Sequence, residues 1–180
     1  PGADGAATQT AANFQFASST NGLTKGATTG IDTGLDLASG GNVYAYLSAD
    51  GLTLTGTDSN SSGGATVFTI NINATTGAVT QTQSAALKHS SAENGSNATN
   101  ISGFYSDDRV DLADGGLNLS ITADVTTTDK DGDSSVTNVT STNIANSFVF
   151  GDDGPLNSGT PNLAGLSLLT GDGGLTGGND

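Results

Sequence analysis

Cysteine, methionine and tryptophan are absent from this 180-residue chain, and basic residues are scarce. Without cysteine, the protein has no disulfides and no thiolate metal sites. Its single histidine, His89, excludes a zinc site built from several histidines. Four lysine and arginine residues are too few for the basic surface that nucleic-acid binding requires, so we expect no nucleic-acid partner. No apolar run has the length of a membrane-spanning helix, and we expect no membrane insertion.

The acidic residues are nearly all aspartate. Of the 18 acidic residues, Glu93 is the only glutamate, and the formal net charge is −14. Aspartate suits tight turns because its short side chain accepts hydrogen bonds from nearby backbone. So large a charge of one sign repels itself in a compact state, and bound cations would relieve that repulsion. The composition therefore predicts several bound Ca²⁺ ions.

Short alternating segments dominate the rest of the sequence. With 27 glycines and only 33% hydrophobic residues, the chain predicts a lean core drawn from many short strands. Residues 18–41 are rich in turn residues. We predict strands at 13–17, 42–48, 51–57, 65–73, 78–88, 109–112, 116–124, 136–142 and 144–150. This spacing indicates an all-β fold, an antiparallel β-sandwich of about ten short strands with calcium-binding loops. We expect one domain at 1–155, with 156–180 as a linker or the start of the next unit.

The motif with the sharpest chemistry is Asp129-Lys130-Asp131-Gly132-Asp133. Carboxylates at alternate positions, with a glycine that permits a tight turn, can converge on one hard cation. Calcium takes about six to eight oxygen ligands at about 2.3–2.6 Å. The pattern resembles the start of an EF-hand loop, but the twelfth position is Thr140, not a bidentate glutamate. Asp129, Asp131 and Asp133 are therefore predicted calcium ligands, with other ligands supplied elsewhere; the alternative is a solvated acidic turn.

A second acidic motif marks the predicted end of the domain. Asp152 and Asp153 follow a strand and precede Gly154-Pro155. Asp4 lies in a similar turn near the start of the chain. We predict that these three residues share one interdomain calcium ion; the alternative is a pair of ordinary turns.

A third acidic cluster follows the long polar segment at 89–107. Asp107, Asp108 and Asp111 surround Arg109, and we predict metal ligation by the three aspartates. The alternative is that Arg109 simply neutralises a neighbouring carboxylate. Four further aspartates are weaker candidates: Asp32, Asp36, Asp50 and Asp58.

Catalysis has little support in the sequence. A nucleophile would need His89 beside one of many serines or threonines, and nothing marks one of them. Aspartate is so abundant that pairs with glycosidase spacing arise by chance. We therefore expect a protein that is not an enzyme, with His89 as a packed residue at a strand end.

Five motifs occur in order within residues 3–155: Val67-Phe68-Thr69-Ile70, Thr76-Gly77-Ala78-Val79-Thr80, Leu87-Lys88-His89, Asp129-x-Asp131-Gly132-Asp133 and Phe150-x-Asp152-Asp153-Gly154-Pro155. Together they resemble a domain of large repeats-in-toxin (RTX) bacterial adhesins. The resemblance implies type I secretion, an extracellular location at the bacterial cell surface, calcium-driven folding, and a role in cell adhesion and biofilm formation.

The length of the chain and its segment at 89–107 are similar to the peptide-binding domains of such adhesins. Those domains hold the free C-terminus of a partner protein with help from calcium. The resemblance implies a peptide site in this region and not its individual residues. Candidate contacts there are Ser102, Tyr105, Asp108 and Arg109, because Tyr105 stands beside the aspartates at the end of the long polar segment, although Tyr105 fits a half-buried packing role equally well. The expected partner is a protein or peptide on another cell, bound by a monomeric module of a longer chain. The alternative is a calcium-rigidified structural extender of the same adhesin.

Overall fold

The chain is almost entirely β wherever the computed structural model describes it, which is at residues 7–18, 22–88, 109–113 and 115–151. A single turn of 3-10 helix, Ala145–Ser147, interrupts the strands in these ranges. The described part of the chain contains ten strands, which in chain order are β1 (Thr8–Ala17), β2 (Ile31–Asp36), β3 (Asn42–Leu47), β4 (Thr53–Thr57), β5 (Thr66–Ile72), β6 (Val79–Gln83), β7 (Arg109–Asp111), β8 (Ser120–Thr128), β9 (Ser134–Thr140) and β10 (Val149–Gly151).

The strands form three antiparallel sheets in a sandwich-like arrangement. β2 to β6 make a five-stranded sheet in which each strand pairs with the next along the chain. The other two sheets have the orders β1-β8-β9 and β10-β7, so they join strands that are distant in sequence. The prediction of an all-β, antiparallel fold with about ten short strands is confirmed.

One hydrophobic core joins the three sheets. Phe68 of β5 is fully buried, and its ring centroid lies 4.9 Å from that of Phe150 of β10. The ring of Phe16 of β1 meets that of Phe148 edge to face, with centroids 6.3 Å apart. Aromatic pairs of these geometries contribute about 0.5–1.5 kcal/mol beyond the burial of their area. These contacts therefore attach β1 and β10 to the core.

The segment at 18–41 contains a strand that the sequence prediction missed. β2 pairs with β3 from Ile31 to Asp36, with an irregularity in the register between Asp32 and Asp36. Gly34 has a φ of +72° there, and its N–H donates to the Asp32 carboxylate at 2.9 Å. Asn42 of β3 donates its amide to the other carboxylate oxygen of Asp32 at 2.6 Å. The assignment of this whole segment to turns was wrong because glycine and aspartate here form a β-bulge inside a strand.

The three-stranded sheet contains a carboxylate held by two amides. Asp124 of β8 accepts hydrogen bonds from Asn13 of β1 at 2.9 Å and from Asn138 of β9 at 3.0 Å. Asn13 has a φ of +55° at a register shift of β1, a conformation that asparagine tolerates better than most residues. The Asp124 carboxylate thus links the side chains of all three strands across one face.

We expect the pKa of the Asp124 carboxyl to lie below its ordinary value and to rise when Asn138→Ala removes one of the two donors. Both amides donate hydrogen bonds to the ionised carboxylate, which favours that form and lowers the pKa. The hydrogen bond from Asn138 lowers the pKa more than the one from Asn13. Since the pKa is lower in the folded than in the unfolded state, this stabilisation is present above a pH of about 4 and is lost as the pH falls through the folded-state pKa. Titration of the side-chain carboxyl carbon by NMR measures the shift. An unchanged pKa in Asn138→Ala, or a larger change in Asn13→Ala, would contradict this assignment.

Candidate metal centre

The turn between β8 and β9 contains the acidic motif. The last strand pair before it is Thr128 with Ser134, whose hydroxyls lie 2.9 Å apart. Inside that pair, the Asp129 N–H donates to the Asp133 carbonyl at 3.0 Å. Gly132 has a φ of +100°, and no heavy atom lies within 4 Å of the place where a Cβ would stand. The glycine is therefore required by the tight turn and not by crowding.

The turn brings three carboxylates together at the surface. Asp129, Asp131 and Asp133 are exposed, and each offers an oxygen that lies within 4.8 Å of the oxygens of the other two. Two ligands on opposite sides of a calcium ion are separated by about twice the metal–oxygen distance, which is roughly 4.6–5.2 Å. The cluster can therefore hold one metal ion between its oxygens.

Hydrogen bonds orient the first carboxylate of this cluster. Asp129 Oδ1 accepts from the backbone N–H groups of Asp133 at 3.0 Å and Gly132 at 3.2 Å. A hydrogen bond with the Asp131 carboxyl lowers the pKa of Asp129, and the backbone donors of Asp133 and Gly132 lower it further. Asp129 is therefore ionised at neutral pH, as a metal ligand must be.

The other predicted metal ligands fall in different places. Asp111 lies in β7 opposite Val149, and its carboxylate accepts the Ala113 N–H at 2.7 Å. Arg109 pairs through its backbone with Gly151 at the end of the same two-stranded ladder. Within the described ranges, the acidic turn between β8 and β9 is where three or more potential ligand residues converge, and Asp111 is not among them. The remaining predicted ligands and contacts lie outside the described residues: Asp4, Ser102, Tyr105, Asp107, Asp108, Asp152 and Asp153.

The carboxylates of three of the weaker candidates accept hydrogen bonds within local structure. Asp50 Oδ1 accepts from the Ser48 hydroxyl at 2.5 Å and from the Leu52 N–H at 3.0 Å, and these two bonds lower its pKa. Asp58 accepts the Ala65 N–H at 2.7 Å and closes the loop between β4 and β5. Asp32 occupies the bulge of β2 described above. These three aspartates therefore stabilise local turns and bulges. The sequence feature that distinguishes the metal cluster from them is the placement of three aspartates at alternate positions of one turn.

A depression beside β3 and β4 was not anticipated from the sequence. It has a volume of about 320 Å³ and a lining rich in hydroxyl groups, including those of Tyr46 and Thr57. Both of these hydroxyls donate to the Ser59 carbonyl, at 3.0 and 2.9 Å respectively. Two of its polar groups are thus already engaged by the protein, and none of its lining residues carries the charge that a polar ligand site usually offers.

Comparison with known proteins gives one family. The family described as a domain of unknown function, DUF5801, matches residues 1–145. No curated protein and no solved structure matches the chain. In the described ranges, no helix has the length and apolar character needed to span a membrane.

Proposed function

The chain belongs to the DUF5801 family, and we propose that it is a calcium-dependent ligand-binding module of a bacterial surface adhesin of the RTX kind. In this proposal the module is extracellular and grips the free C-terminus of a protein or peptide on another cell. It thereby contributes to cell adhesion and biofilm formation. The observation that carries the proposal is the convergence of Asp129, Asp131 and Asp133 in the β8–β9 turn.

The chemistry of that turn favours calcium over other cations. Its donors are all oxygen, which excludes the softer ligand sets that select zinc or copper. Magnesium demands near-ideal octahedral geometry at shorter distances, whereas calcium accepts irregular sets of six to eight oxygens. The three aspartates would supply the charged part of such a set, and backbone carbonyls and water would complete it. A bound ion also offsets part of the net charge of −14.

The pairing of β7 with β10 supports a second calcium site. Arg109 lies opposite Gly151, although 42 positions separate them in the sequence. Asp107 and Asp108 directly precede Arg109, and Asp152 and Asp153 directly follow Gly151. These four aspartates lie outside the described residues, and each pair is adjacent in sequence to one member of the hydrogen-bonded ladder. We propose that the two pairs bind one ion at this end of the ladder.

The peptide site belongs with this second ion in our proposal. The candidate contacts are close in sequence to the β7 end of the ladder: Ser102, Tyr105, Asp108 and Arg109. A terminal carboxylate would fill an open coordination position of calcium, and an arginine guanidinium can pair with a carboxylate in a bidentate manner. The ion would thus supply recognition of the free C-terminus.

We expect the domain to bind peptides with a free C-terminal carboxylate in calcium, and to lose that binding when the peptides are amidated or calcium is chelated. A peptide library in both forms, screened in calcium and in chelator, measures the preference. Asp108→Asn should weaken binding because it removes a ligand charge. Asp58→Asn is the matched control, since it removes the same charge but keeps the oxygen that accepts the Ala65 N–H. Equal binding of free and amidated peptides would rule out capture of the carboxylate.

A structural extender is the second candidate function. The observation that favours it is the position of the acidic turn at the tip of the β8–β9 hairpin, where all seven residues of β9 are exposed. An ion at that tip would stiffen the hairpin without contacting a ligand. If calcium raises the melting temperature but no peptide binds in either form, the extender is favoured.

A further inference from the structure

Among the described residues, one side of the edge strand β9 has no partner strand. β9 is the last strand of its sheet and pairs with β8 alone among the described residues. All seven of its residues, Ser134–Thr140, are exposed. An edge strand of this kind presents a row of backbone N–H and C=O groups to any other strand that can reach it.

The hydrogen bonds at the two ends of the β8–β9 ladder fix which groups face outward. At one end the Asp129 N–H donates to the Asp133 carbonyl, and at the other the Ser141 N–H donates to the Ile121 carbonyl. In an antiparallel ladder, residue pairs that exchange backbone hydrogen bonds alternate with pairs that do not. Counting inward from either end of this ladder identifies the same residues of β9 as hydrogen-bonded to β8. The backbone groups that point away from β8 therefore belong to every second residue of β9: Ser134, Val136, Asn138 and Thr140.

β9 lacks the features that usually protect an edge. It has no lysine, no proline, no glycine and no charged residue. Val136 is 62% exposed and Val139 is 43% exposed, and these are the two most exposed large hydrophobic residues in the described ranges. The outer side of β2 is different, because Lys88 donates to the Asp36 carbonyl and Ala38 donates to the Ala86 carbonyl there.

We propose that β9 pairs with β9 of a second copy of this chain, antiparallel, about a twofold axis at Thr137. This register sets Ser134 opposite Thr140 of the second copy and Val136 opposite its Asn138. All four outward-facing residues then lie in hydrogen-bonded pairs, with about eight backbone hydrogen bonds across the axis. In this register the two strands are self-complementary. The Val136 side chains of the two copies become diagonal neighbours on one face, and each shields the other from solvent.

The charge of the molecule selects the antiparallel orientation. A parallel pair would place the two acidic turns side by side, whereas the antiparallel pair puts Asp133 opposite Ser141 of the second copy. The two turns are then about eight residues apart along the strands, or roughly 27 Å at 3.4 Å per residue. That separation exceeds the Debye length of about 10 Å at 0.1 M salt. One strand pair buries little area, so the association is weak and reversible. In this respect the proposal departs from the sequence-based expectation of a monomeric module.

The absence of cysteine gives a direct test of the register. Thr137 meets its own counterpart at the axis as a non-hydrogen-bonded pair, where Cα atoms are about 4.5 Å apart and within the range for a disulfide. Thr137→Cys should therefore form an intermolecular disulfide under mild oxidation. Ser135→Cys is the matched control, since it is equally exposed on the same face but lies opposite Val139, roughly 14 Å along the strand from its counterpart. Equal cross-linking of the two variants on non-reducing gels would overturn the register.

A backbone variant tests the pairing independently of cysteine chemistry. Val136→Pro removes an N–H that points away from β8, so the ladder to β8 keeps its hydrogen bonds. We expect the wild-type chain to show concentration-dependent dimerisation in sedimentation velocity, and Val136→Pro to stay monomeric with an unchanged circular dichroism spectrum. A wild-type chain that stays monomeric at every concentration refutes the second copy as the occupant of this edge. If Val136→Pro does not fold, the comparison of the two cysteine variants decides the question.

Discussion

Calcium is expected to raise the melting temperature of this domain, and Asp131→Asn is expected to remove much of that gain. An ion that binds only the folded state at a hundredfold excess over its Kd stabilises by about 2.7 kcal/mol per site. For a domain of this size, that corresponds to a rise of roughly 5–11 °C per site. Asp131→Asn removes a negative ligand from the cluster in the β8–β9 turn, so we expect at least a tenfold loss of affinity at that site, which is worth about 1.4 kcal/mol.

The destabilising effect of Asp131→Asn should disappear when calcium is chelated. Without the ion, Asp129, Asp131 and Asp133 repel one another, so Asp131→Asn should leave the melting temperature unchanged or raise it slightly. Asp58→Asn changes the net charge equally and should respond to calcium as the wild type does. Thermal unfolding of the three proteins, each in calcium and in chelator, makes the comparison. Identical melting temperatures with and without calcium would refute the metal site.

Gly115→Ala is expected to destabilise the fold severely through a contact between two backbones. A Cβ on Gly115 would stand 1.4 Å from the Thr33 carbonyl oxygen and 2.6 Å from the Cα of Gly34. Neither of these atoms is the end of a flexible side chain, so β2 and the turn at 115–116 would have to separate. Overpacking typically costs about 1–3 kcal/mol and occasionally more, and this clash is with backbone, so we expect about 3 kcal/mol or more. The corresponding fall in melting temperature is roughly 6–12 °C.

Variants of two other glycines serve as controls, because they measure the ordinary cost of replacing glycine without a backbone clash. Gly63→Ala meets no atom within 4 Å and has no positive φ, so it should be nearly neutral. Gly40→Ala also meets open space, but its φ of +90° makes alanine strained, so it should cost about 1 kcal/mol. Chemical denaturation of the three variants gives the free energy of unfolding. A Gly115→Ala variant no less stable than Gly40→Ala would show that the close approach does not hold β2 in place.

The elements that the sequence predicted well are those whose signals are local. The strand predicted at 65–73 corresponds to β5, in which the alternating residues Phe68, Ile70 and Ile72 are all buried. The strands predicted at 42–48 and 51–57 correspond to β3 and β4, which pair as a hairpin around Asp50-Gly51, a sequence typical of hairpin turns. The cluster of Asp129, Asp131 and Asp133 was predictable for the same reason, since one short turn between paired strands supplies all three carboxylates.

Tertiary structure decided what depends on residues far apart in the chain. β2 exists as a strand because β3 pairs with it and because Gly34 fits against Gly115, which local turn propensities do not register. The pairing of Arg109 with Gly151, which joins the two ends of our proposed second site, likewise has no local signal. The exposed edge of β9 follows from the order β1-β8-β9, since a strand's position in a sheet depends on which partners it finds. Patterns along a chain specify faces and turns, but the free energy that selects partners comes from packing and pairing between distant segments.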